Sequence, residues 1–223
     1  MKKHFLTFPA LLVWIILAFS AFVFSQDALL EEKNKREAQL VELIALDKTI
    51  KLDIRYARAD NFVGRAVYTE ARAFLQKPAA KALLKVHKKL KKKKFGLVIF
   101  DGYRPWSVTK FFWEVTPEDK RKFVANPVTG SKHNRGCAVD LSIFDLRTGK
   151  LVEMPTDYDD FTDKANPNYQ GATETQKKNR DLLRKAMETK GFTVNPNEWW
   201  HFDYKDWKDY AIYDIPFSEI RTD

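Results

Sequence analysis

Cysteine is nearly missing from this chain. With Cys137 alone in 223 residues, no internal disulfide is possible, and stability must come from a core or a bound metal. Histidine is almost as scarce, at four residues, so imidazole chemistry rests on very few positions. Glycine and proline, at 8 and 9, are ordinary. The sequence carries no internal repeat, no long Ser/Gly linker and no low-complexity tract, which excludes repeat arrays and gives no point at which to divide the body of the chain.

One apolar run is long. Lys2 and Lys3 precede a stretch from Phe5 to Phe24 that is interrupted only by Thr7, Pro9 and Ser20 and followed by Gln26-Asp27. This is the pattern of an export signal, with Val23 and Ser25 at the −3 and −1 positions of a cut after Ser25. About 20 apolar residues also suffice to span a bilayer, so the same segment reads alternatively as an uncleaved anchor. Residues 1–25 are therefore expected to be a leader or anchor and residues 26–223 one domain, placed in the periplasm, secreted, or held on the outer face of a membrane.

The net charge of +9 falls to +7 without residues 1–25. Six cations crowd into Lys88, Lys89, Lys91, Lys92, Lys93 and Lys94. They lie at the end of a helical pattern whose Leu83, Leu84, His87 and Leu90 form an apolar stripe, where cations favour the helix C-terminus. A solvated last turn is one reading, and contact with anionic lipid or cell-wall polymer is the other; an exported chain is not expected to meet nucleic acid.

Periodicity predicts a helix over residues 28–46, a strand from Ile50 to Tyr56, and a helix from Pro78 to the lysine cluster. Phe95 to Phe100 reads as a buried strand, and residues 107–124 as helix in two pieces around Pro117. Residues 137–143 alternate, with Cys137, Val139, Leu141 and Ile143 on an apolar face and Ala138, Asp140 and Ser142 on a small polar one. Cys137 is thus expected to be a buried, inert thiol. A turn-rich loop from Asp145 to Gly171 leads to a helix over 174–190, closed by Gly191, and to a last strand near residues 199–204. This mixed order predicts an α+β fold with a mainly antiparallel central sheet flanked by helices.

His87 sits on an apolar helical stripe and reads as a packing residue. His133, in a polar loop before the strand bearing Asp140, and His201, beside Trp199 and Trp200, are the remaining pair in the body of the chain. Two imidazoles and one carboxylate would make three protein ligands with a fourth position open, as in catalytic zinc sites. In 223 residues such a trio also meets by chance, so the residue types leave the question open. Glu198 could serve as base to a metal-activated water or be a surface glutamate. As positions i and i+3 of a regular strand face opposite ways, pairing Glu198 with His201 requires an irregular segment, which Asn195-Pro196-Asn197 can supply. Arg104, at the end of a buried strand, is either an oxyanion partner or an ordinary ion-pair partner.

Ser131-x-His133-x-x-Gly136-x-Ala138-x-Asp140, with Glu198-x-Trp200-His201 downstream and Asp101-Gly102-Tyr103-Arg104-Pro105 upstream, resembles the VanX-like D-alanyl-D-alanine dipeptidases among the zinc D,D-peptidases. Asp53-Ile54-Arg55-Tyr56-Ala57 and Asp60-Asn61-Phe62-Val63-Gly64 are similar as well, so the likeness runs from about Leu46 to Phe217. The resemblance implies one zinc ion on His133, Asp140 and His201, Glu198 as base and then acid, and Arg104 at the tetrahedral intermediate. It further implies that Tyr56 and Ser131 hold substrate and that Asp159 pairs with the ammonium of a small D,D-dipeptide, although Asp157 and Asp160 crowd the same loop. The alternatives are a peptidoglycan carboxypeptidase or endopeptidase with the same zinc site, an Fe(II) oxygenase with the same ligand set, and a wall-binding domain with structural zinc. The export signal fits wall-derived dipeptide turnover better than resistance.

Overall fold

A computed structural model describes residues 35–221. The chain divides into two units, Met1–Arg36 and Glu37–Asp223, and the fold and site belong to the second. The expected leader lies outside the described residues, among which no helix is long and apolar enough to cross a membrane.

Five strands form the central sheet: β2 (Lys51–Leu52), β4 (Phe95–Asp101), β5 (Ala138–Asp145), β7 (Glu198–Tyr204) and β6 (Phe192–Asn195), in that spatial order. Only β2 and β4 run parallel; the other pairs are antiparallel, as expected. β1 (Leu40–Glu42) and β3 (Phe74–Gln76) make a separate antiparallel pair. The helices are the single turn α1 (Leu43–Leu46), α2 (Lys77–Lys91), α3 (Trp106–Val115) and α4 (Glu174–Glu188).

Two expected elements differ. The predicted helix over 28–46 begins outside the described residues, and its described C-terminal part is β1 followed by one helical turn. Leu40 and Val41 form a ladder with Gln76 and Leu75, and Leu43 is fully buried, so pairing with a distant segment overrides the local period. The predicted strand from Ile50 to Tyr56 keeps ladder pairing only at Lys51 and Leu52. After Asp53 N–H donates to Ile99 O (2.8 Å), the chain tightens into a 3₁₀ turn, Arg55–Ala57, which turns Tyr56 into the core.

The break near Pro117 is real. α3 ends at Val115, Thr116 Oγ1 donates back to Phe112 O (2.6 Å), and a 3₁₀ segment runs from Glu118 to Phe123. α4 starts on a capping box between Thr173 and Gln176, which satisfies exposed N–H groups at both positions. Cys137 is buried and its thiol is pushed up to about 12 by burial, consistent with an inert side chain.

Candidate metal centre and active-site cavity

The sheet register assembles the polar cluster. Asp101 on β4 stands opposite Asp140 on β5, which stands opposite His201 on β7. These three side chains form a row across adjacent strands. His133 opens a 3₁₀ turn just before β5, closed by Gly136 at φ +66°, where a Cβ would meet Leu40 Cδ2 at 2.6 Å. Ligand atoms of His133, Asp140 and His201 all lie within 4.8 Å of one another, and all three residues are buried.

The hydrogen bonds behind the two imidazoles fix which nitrogen faces the cluster. His133 Nδ1 is 2.7 Å from Gly102 O, a carbonyl that only accepts, so Nδ1 carries the hydrogen. Gly102 itself lies so close to β3 that a Cβ would meet Phe74 O at 2.6 Å. His201 Nε2 lies 2.9 Å from Asp203 Oδ1 and donates to it. The free lone pairs, on His133 Nε2 and His201 Nδ1, then face each other at 3.1 Å and face Asp140 Oδ1 at 3.3 and 3.1 Å. Asp140 Oδ1 is buried with no hydrogen-bond partner.

With both imidazoles neutral, three acceptors converge with no proton between them, which is costly in a buried site unless a metal ion, or in its absence a proton on His201, joins them. Burial opposes charge on His201, yet Asp203 and Asp140 hold its proton affinity well above the ordinary imidazole value. Burial would raise the Asp140 carboxyl, but the imidazoles, His133 foremost, hold it well below the carboxylate range. The donor set of two imidazole nitrogens and one carboxylate oxygen fits a transition-metal ion, with outer partners orienting both imidazoles.

Glu198 reaches this cluster through a break in register. On β6, Val194 pairs with Phe202 and the next residue, Asn195, pairs with Glu198. Trp199, Trp200 and His201 therefore bulge away from that ladder, and Glu198 Oε2 comes within 3.6 Å of His201 Nδ1. Asn195 Nδ2 donates to the same oxygen at 3.0 Å. The irregular segment that the sequence required is this bulge. Burial pushes the Glu198 carboxyl up to about 7, with His201 opposing, which poises it between base and acid.

Arg104 lies 3.7 Å from Asp140 Oδ2 and is bound more closely by Asp101, through Nε at 2.9 Å and NH2 at 2.8 Å. Burial disfavours its charge, but Asp101 holds the guanidinium firmly protonated. Arg104 is thus an ion-pair partner that also lines the cavity.

A cavity of about 210 Å³ opens over the cluster, and its walls include Tyr56, Ser131, Asp159, Phe62, Phe112 and Trp200. Among Asp157, Asp159 and Asp160, only Asp159 lines it. Asp159 sits at φ +59°, with Oδ2 buried and unpartnered. Its Oδ1 lies 3.1 Å from the Tyr56 hydroxyl, which is 3.1 Å from the Tyr158 hydroxyl, which is 3.0 Å from Asp140 Oδ2. Burial raises the Asp159 carboxyl well above its usual range, with Asp140 adding to this and the hydrogen bond donated by Tyr56 opposing it. Ser131 Oγ accepts from His133 N–H at 3.2 Å at the cavity wall.

Sequence reasoning named these wall and cluster residues except Phe112, but missed their supports. Asp101 was read only as part of a motif. Asp203, two residues from His201 and hence on its side of the strand, was available from strand alternation. Tyr158 lies in an aperiodic loop and gave no signal.

Residues 36–223 match the family described as D-ala-D-ala dipeptidase. The chain is 31% identical over 180 residues to the D-alanyl-D-alanine dipeptidase of Escherichia coli (strain K12), a match covering 81% of this chain and 92% of that relative. The D-alanyl-D-alanine dipeptidase of Enterococcus faecalis (strain ATCC 700802 / V583) is 33% identical over 175 residues, covering 70% and 87%. A match that takes in the whole second unit, joined to these relatives across most of their length, shows that this chain belongs to the D-Ala-D-Ala dipeptidases, a family of metallopeptidases.

Proposed function

We propose that this protein hydrolyses free D-alanyl-D-alanine with one zinc ion held by His133, Asp140 and His201. The observation that carries this reading is the set of three buried ligand atoms turned on one point, in a cavity whose wall presents Asp159 with its Oδ2 buried and unpartnered. Zinc at such a site supplies Lewis acidity and lowers the pKa of a water bound to it. Glu198 takes the proton from the attacking water and returns it to the departing amine as the peptide C–N bond breaks. Arg104, held in place by Asp101, faces the oxyanion that develops on the carbonyl, a contribution of about 3 kcal/mol by comparison with other oxyanion donors.

Asp159 supports a dipeptidase over a carboxypeptidase. A substrate ammonium pairs with the Asp159 carboxylate, a contact open only to a substrate whose free amine reaches the pocket. Tyr56 orients that carboxylate, and Ser131 holds the substrate on the side of His133. The leader pattern supports an activity outside the cytoplasm, on dipeptide released from the cell wall. Incubating zinc-loaded protein with D-Ala-D-Ala, N-acetyl-D-Ala-D-Ala and muropeptides, and following free amine, tests the reading. Cleavage of the first alone is expected; equal rates on the acetylated form would favour the carboxypeptidase.

A further inference from the structure

A second cleft, of about 500 Å³, shares no lining residue with the metal-centre cavity. It runs between α2 and the segment joining α4 to β6, and it is lined by Lys81, Lys85, Lys190 and Lys205 with no acidic residue. Among the described residues none of these four lysines has an ion-pair or side-chain hydrogen-bond partner. Lys89 Nζ donates to Thr189 Oγ1 at 3.1 Å, tying α2 to the end of α4 beside the cleft.

The two helices that meet here treat charge differently. α4 interleaves Glu174, Asp181 and Glu188 with its cations, and Lys177, Arg180 and Arg184 all make ion pairs. α2 holds six lysines and no Asp or Glu in fifteen residues. At 3.6 residues per turn, Lys81, Lys85, Lys88 and Lys92 fall within an arc of about 60°, and all four are exposed. Successive turns set these ammonium groups about 6 Å apart along the axis. Like charges so placed repel one another, and a solvated helix gains nothing from excluding every acid.

We infer that this cleft and the lysine row leading from it bind a linear, phosphate-bearing polymer that carries no bases. Several ammonium groups around one concavity call for several anionic charges, and the row along α2 calls for an extended chain carrying them. The large apolar side chains exposed in the described structure are Leu46, Val115, Val128, Leu146 and Leu151, none of them on α2 or in the cleft. A bilayer, which is planar and takes up apolar wedges, finds no such wedge here. Tyr204, the aromatic residue of the cleft, is buried, so bases have no exposed ring on which to stack. A polymer of this kind in the cell envelope would hold the protein near its source of dipeptide.

Binding of fluorescein-labelled long-chain polyphosphate to the zinc-loaded full chain, followed by anisotropy over a salt series, tests this. Replacing Lys81, Lys85, Lys190 and Lys205 together by Gln, a good helix former, should weaken binding at least tenfold at fixed salt. It should also lower the slope of log affinity against log salt by about 3, as expected for four lost phosphate contacts. A control with Lys110, Lys164, Lys178 and Lys185 replaced by Gln removes the same charge elsewhere and should change affinity less than twofold. Hydrolysis of D-Ala-D-Ala should be unchanged in both. Equal weakening in the two variants would overturn the inference, as would tighter binding of the unaltered protein to anionic phospholipid vesicles or to single-stranded DNA than to polyphosphate.

Discussion

His87 and the pair His133/His201 are all buried, yet their surroundings are opposite in kind. His87 Nδ1 accepts from Leu97 N–H at 3.2 Å, and Nε2 faces Thr49 Oγ1 at 2.9 Å. Since Thr49 gives its own hydrogen to Asp47 at 2.6 Å, His87 donates from Nε2 and both ring nitrogens are satisfied. His133 and His201 each satisfy one nitrogen and turn the other toward a buried carboxylate oxygen that has no hydrogen-bond partner of its own. A buried imidazole with two partners is finished structure. One left facing acceptors is half of a cation site.

Removing a member of the unfinished group should have the largest effect. His133→Ala, Asp140→Ala or His201→Ala should each reduce bound zinc from about one per chain to a small fraction and abolish hydrolysis, as loss of one of three ligands implies. His87→Ala should leave zinc content intact. Elemental analysis of the purified variants checks both halves, and full zinc retention by His201→Ala would break the comparison.

Asp203→Asn should come next. The amide keeps the volume but weakens the acceptor that fixes the His201 tautomer, so zinc affinity should fall about 10- to 100-fold. Competition with a chelator reads this directly.

Asp159→Asn sharpens the contrast between function and stability. An amide cannot pair with an ammonium, so dipeptide affinity should drop at least tenfold. The free protein should nevertheless gain about 1 kcal/mol at neutral pH, because burial disfavours the ionised carboxyl and Asn tolerates positive φ. The Asp159 carboxyl is raised in the folded state, so its stability contribution is full below the unfolded value and is lost as pH rises. The advantage of the variant should grow with pH in thermal melts.

The smallest effect belongs to His87. Burial lowers its proton affinity in the folded state, Lys91 adding to this and Asp47 opposing. Its contribution is therefore complete above the ordinary imidazole value of 6.5 and is lost as pH falls. The melting-temperature gap between the unaltered protein and His87→Gln should narrow between pH 7 and pH 5.

How legible all this was in the sequence depended on range. The polar face carrying Asp140, the break at Pro117 and the need for an irregular segment at Glu198 follow from local rules of strand and helix. β1 and β3 do not, because three-residue ladders between segments more than thirty residues apart leave no period to read. The roles of the metal-centre residues came from separated motifs taken together. Tyr158, by contrast, acts through two hydroxyl contacts to distant residues, Tyr56 and Asp140, which only the folded chain brings together.

The central claim is that one buried cluster holds zinc while Glu198 moves the proton. It is tested most directly by measuring zinc content and D-Ala-D-Ala turnover on the same samples of the unaltered protein and Glu198→Gln. The account predicts about one zinc per chain in both and turnover at least ~100-fold lower in the variant, the lower end of what a positioned general base contributes. Near-normal turnover with zinc fully bound would contradict it.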